Sequence, residues 1–75
     1  MAKVDFVTAH KEGLGICAGG GVIGWADTPK AVAYIFKTYG LHETVAGDFK
    51  SGSYHEDLFN EALKIYNWEV NRIAG

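Results

Sequence analysis

Residues 53–75 read SYHEDLFNEALKIYNWEVNRIAG, the one stretch in which a start, a periodicity and an end agree on a single element. Ser53 followed three residues later by Glu56 is a capping box: the serine oxygen takes an orphan N–H of the first turn and the glutamate reaches back. At about 3.6 residues per turn, His55, Phe59, Ala62, Leu63, Tyr66, Val70 and Ile73 fall on one stripe, with Asp57, Asn60, Lys64, Asn67 and Asn71 opposite. The spacing predicts a long C-terminal amphipathic helix. Its apolar arc is wider than one packed face needs, because Tyr54, Leu58 and Ile65 extend it on one flank and Trp68 stands among the polar residues.

Upstream, Asp27-Thr28-Pro29 starts a second helix, with Thr28 as cap and Pro29 at the first helical position, where its missing N–H costs nothing. Ala31, Val32, Ile35, Phe36 and Tyr39 form its apolar stripe, and Gly40-Leu41 supplies a glycine stop with a hydrophobic contact, so the helix spans Pro29 to Tyr39. Between the helices, Leu41, Val45 and Phe49 are apolar anchors, but Gly47, Gly52 and scattered charges disfavour a long regular element. A short edge strand over Glu43 to Ala46 is the most this region predicts.

The N-terminal third has strand character. Lys3 to His10 is rich in β-branched and aromatic residues, with Val4, Phe6 and Thr8 on one face and Asp5, Val7 and Ala9 on the other. Lys11-Glu12-Gly13 is read as a three-residue hairpin loop with Gly13 left-handed. Leu14 to Ala18 and Val22 to Ala26 form two further short strands joined at Gly19-Gly20-Gly21. Gly15 and Gly24 leave holes where a helix, a ring or another backbone can come close. The expected fold is a single α+β domain over residues 1–75, a three-stranded antiparallel meander packed against two helices.

Seventy-five residues make one small domain, and a chain this short buries only about 60% of its unfolded surface. A hydrophobic share of 48% argues against disorder, and a net charge of −2 with no basic cluster lacks the footprint of a nucleic-acid binder. The lone Cys17 excludes an intramolecular disulfide, and no apolar run reaches the roughly 18–20 residues of a membrane span. Together these predict a cytoplasmic protein that needs neither nucleic acid nor membrane as partner.

The sharpest motif is Gly19-Gly20-Gly21-Val22-Ile23-Gly24, which matches the G-x-G-x-x-G of dinucleotide sites. Such a site needs its last glycine to open a helix, whereas here the helix starts only at Pro29, so a hairpin turn is the better reading. His10, His42 and His55 with Cys17 and nearby acids show none of the spacings of a metal site, and no metal or cofactor is expected. His55 suits a packed, hydrogen-bonded histidine, His10 a strand-end surface residue, and Cys17 a small buried hydrophobe. Glu56 and Asp57 complement the helix dipole.

The aromatic surplus is more informative. Trp25, Tyr34 and Trp68 fall off the apolar stripes, and tryptophan and tyrosine are enriched at the centres of interfaces. With Tyr54, Leu58 and Ile65 they form the candidate contact surface of a homodimer or of a complex with another protein. The residues thus predict a small non-catalytic interaction module of adaptor or inhibitor type. The alternative is a small-ligand or nucleotide-binding enzyme subunit using Gly19, Gly20, Gly21 and Gly24 with a histidine.

Overall fold

The computed structural model describes residues 3–11 and 13–74, the side chains of 72–74 excepted. Its elements run β1 (Val4–His10), β2 (Gly13–Ala18), β3 (Gly21–Ala26), α1 (Pro29–Tyr39), β4 (Leu41–Asp48) and α2 (Tyr54–Ala74). They form one four-stranded sheet in the order β3-β2-β1-β4, with the first three strands an antiparallel meander. β4 pairs parallel to β1, which β3–α1–β4 makes reachable, since a parallel neighbour needs a long crossover and α1 supplies it. Both helices lie on one face of the sheet. Between the two layers Val4, Val7, Leu14, Ile16, Val32, Phe36 and Ala62 lose all solvent contact.

The helix caps form where the sequence places them. Thr28 Oγ1 accepts from the Ala31 N–H at 3.2 Å, and Gly40, at φ 87°, ends α1 by donating its N–H to the Phe36 carbonyl at 2.7 Å. At α2, Ser53 Oγ accepts from the Glu56 N–H at 3.3 Å. The returning arm differs from a simple capping box: Glu56 Oε1 accepts from the Gly52 N–H at 2.8 Å, because the Ser53 N–H is already bonded to the Lys50 carbonyl at 3.2 Å.

Between β2 and β3, Gly19 (φ 62°) and Gly20 (φ 86°) make a two-residue turn, with left-handed φ at both positions as tight hairpins require. The first hairpin departs from expectation. Gly13 sits inside β2 opposite His10 and is extended at φ 158°, so it is not the left-handed loop residue. A side chain there would run into the Ala26 carbonyl, so close backbone approach explains this glycine. Glu12 lies outside the described residues.

Three further departures come from strand pairing and helix packing. In β1 the partners of Val4 and Phe6 are Ala18 and Cys17, so Asp5 is an extra, bulged residue. The bulge flips the alternation, and Val4 joins Val7 in the core while Phe6 stays 37% exposed on the outer face. β4 is longer than Glu43–Ala46 but pairs with β1 only through Leu41 and Ala46–Asp48. Residues 42–45 loop between these pairings, closed by His42 Nδ1 accepting the Thr44 N–H at 3.2 Å. Gly47 leaves room on the inner side for the Phe49 ring, which packs against Phe59 at 5.3 Å between centroids.

α2 is rotated from its expected stripe. Leu58 and Ala62 are its buried residues, flanked by half-buried Phe59, Leu63, Ile65 and Tyr66, while Val70 is 40% exposed. Leu58, expected on the outward contact flank, is therefore a core residue. The cause is that α1 lies along the α2 flank that carries Ile65 and Glu69, as the Lys37–Glu69 ion pair at 3.0 Å shows, so that flank turns inward. Ile73, assigned to the same stripe, lies outside the described side chains.

Candidate interaction surface

The two helices lie side by side with their starts at the same end. Tyr54 Oη donates to the Asp27 carbonyl at 3.1 Å at one end, and Lys37 meets Glu69 toward the other. Phe36 fills the space between them, edge-on to both Phe59 and Tyr66 at 6.2 Å. Beside this aromatic seam lies a cleft of about 770 Å³ between the helices, lined by the buried or half-buried Ala33, Ile65 and Tyr66 and by the exposed Tyr34 and Trp68. Tyr34 is 70% exposed and Trp68 58%. Lys30, Lys37, Lys64 and Glu69 rim the cleft.

A second surface lies on the opposite side of the molecule. Gly24 faces the helices, since a Cβ there would stand 3.0 Å from Ile35 Cδ1, so its neighbour Trp25 points outward. The Trp25 ring lies over Gly15, where a Cβ would come within 2.5 Å of Cζ3, and tilts against His10 with centroids 4.2 Å apart. Both glycine holes are thus filled, one by a helix side chain and one by a ring. Along the same outer face Phe6 pairs with Cys17 and Cys17 with Val22, giving an apolar row that no helix covers. Trp25 is 54% and Val22 49% exposed.

The six sequence-predicted contact residues therefore separate. Tyr34, Ile65 and Trp68 come together in the helix cleft, Trp25 lies on the outer sheet face, and Tyr54 sits at the end of the helix layer. Leu58 is inside. Sequence reasoning missed the lysine rim and the Phe6–Cys17–Val22 row. The rim had a signal: Lys30, Tyr34 and Lys37 are spaced four and three apart, as are Lys64 and Trp68 by four, which places each lysine beside its ring. The row had none that alternation could reveal, because the Asp5 bulge resets it.

The groups with reactive potential are dispersed. Among the described residues no three His, Cys, Asp or Glu side chains gather to hold a metal ion. The His55 Nε2–H donates to the His10 carbonyl at 2.6 Å, so this histidine ties the start of α2 to the end of β1. Cys17 is half-buried, more open than a core residue, and pairs across the sheet with Phe6, four residues along β1 from His10. Gly19 and Gly20 form the hairpin tip, Gly21 begins β3 and Gly24 lies mid-strand beneath Ile35, so the run does not open onto a helix N-terminus.

The chain matches no protein-family model, and comparison with curated proteins and with solved structures found no match.

Proposed function

We propose that this protein is a small non-catalytic interaction module of the adaptor or inhibitor type, acting in the cytoplasm as a homodimer. The observation that supports it is the outer face of the sheet. A two-layer antiparallel sheet ordinarily turns polar residues to water, but here that face carries Phe6, Cys17, Val22 and Trp25. A second copy would cover this row, and pairing is a common route to stability for a domain whose own core is small. No helix among the described residues is long and apolar enough to cross a membrane. The Gly19–Gly24 run, being a hairpin tip and a strand, lends no support to a nucleotide-binding reading.

The test is molar mass by light scattering over a wide dilution series, for the natural chain and for Val22→Asp. Val22 is exposed in the single subunit, so the substitution leaves the fold intact while placing a charge in the pairing face. The expected result is a dimer for the natural chain and a monomer with unchanged circular dichroism for Val22→Asp. A monomer at every concentration would overturn the proposal.

A further inference from the structure

We infer that the cleft between α1 and α2 is a docking site for an acidic peptide segment of a partner protein, one carrying a bulky apolar or aromatic anchor. This deepens the interaction-module reading and rests on it, but it is independent of self-pairing, which uses the other face of the molecule. Charge names the partner. The chain is acidic, with seven Lys and Arg against nine Asp and Glu, yet at this one cleft three bases stand against two carboxylates, Glu69 on the rim and Glu61 beside Lys64, a local excess of positive charge. Lys37 is tied to Glu69 at 3.0 Å and Lys64 to Glu61 at 3.3 Å, whereas Lys30 has no ion pair among the described residues. An incoming carboxylate therefore has Lys30 to bind at once and two exposed pairs it can join, and complementary charge of this kind chooses partners and steers their approach.

The shape names the anchor. The lining of Ala33 and Ile65 is apolar, and Tyr34 and Trp68, which also line the cleft, stand mostly in solvent. A pocket for a small molecule encloses most of its ligand. Rings as exposed as these instead suit a chain segment that brings its own backbone and inserts one side chain. From Lys30 to Lys37 the rim runs two turns of α1, about 10 Å at 1.5 Å per residue, enough for a single anchor flanked by acids. Single-stranded nucleic acid also likes rings beside lysines, but it needs a continuous positive track, which Glu69 interrupts here.

The experiment selects a random displayed peptide library on the full-length chain, then measures the winning peptide, fluorescein-labelled, by anisotropy. The expected winners hold one Leu, Phe or Trp with two or more Asp or Glu within about one helical turn. Tyr34→Ala and Lys30→Glu should each weaken that peptide about tenfold, and added salt should weaken it further. Lys11→Glu, on the far hairpin, should leave affinity unchanged. Both cleft positions are exposed, and unchanged melting curves verify the fold. Winners that are neutral or basic, no enrichment, indifference to Lys30→Glu, or tighter binding of labelled oligothymidylate than of the peptide would each overturn the inference. Light scattering reports the dimer separately, so the two readings fail independently.

Discussion

Leu58→Ala separates a core residue from a contact residue at the position where helical periodicity alone misplaces it. Leu58 is 4% exposed and belongs to the same cluster as Leu14, Ile16 and Phe36. The substitution removes three buried carbons, worth about 0.8 kcal/mol each or about 2.4 kcal/mol together. The cavity left behind raises this to about 3 kcal/mol, within the usual span for buried leucines. A 75-residue domain has ~4–11 kcal/mol in all, so the change takes a large share of it. At roughly 4–8 °C per kcal/mol for a domain this size, Tm should fall by about 12–24 °C. The assay is thermal unfolding by circular dichroism at one fixed protein concentration, because self-association would make Tm concentration-dependent. Tyr34→Ala, at 70% exposure, is the control and should move stability by no more than about 0.5 kcal/mol. A Leu58→Ala protein that melts within about 2 °C of the natural chain, under the same principle of size scaling, would refute the placement of this residue in the core.

Two further outcomes test the local chemistry. Ser53→Ala deletes the oxygen that caps α2 and should cost about 1 kcal/mol, read as a fall in Tm of about 4–8 °C; no change would mean that Gly52, Glu56 and water suffice to hold the turn. Gly15→Ala places a methyl 2.5 Å from the Trp25 ring, which is exposed and can swing aside, so the loss of stability should stay below about 1 kcal/mol. The ring itself must move away from His10, and in a Trp68→Phe background its emission should shift to the red; an unshifted spectrum would argue against the ring lying over Gly15.

How far the interaction surface can be read ahead of the fold depends on the range of its causes. Tyr34 and Trp68 are identifiable as residues off the apolar stripes because a stripe is a property of one helix. That they line one cleft together with Ile65 depends on how α1 and α2 are set side by side, and no residue within either helix specifies that. Trp25 stands out by type, but its assignment to a separate face follows from Gly24 turning toward Ile35. Helical spacing alone places Lys64 beside Trp68, but that Lys30 and Lys37 join it around one cleft follows only from the packing of the two helices.

The same division runs through the whole molecule. Both bounds of α1, the capped start of α2, a glycine turn within residues 19–21 and the three meander strands follow from the chain alone, since caps, fixed proline φ and left-handed glycine act within a few residues of themselves. Tertiary structure decided the Asp5 bulge, the parallel seat of β4 beside β1, the rotation that draws Leu58 inward, and which aromatic rings share a surface. Those outcomes rest on partners about 10 to 40 positions away, where backbone pairing and close packing set register and rotation more strongly than any local preference can.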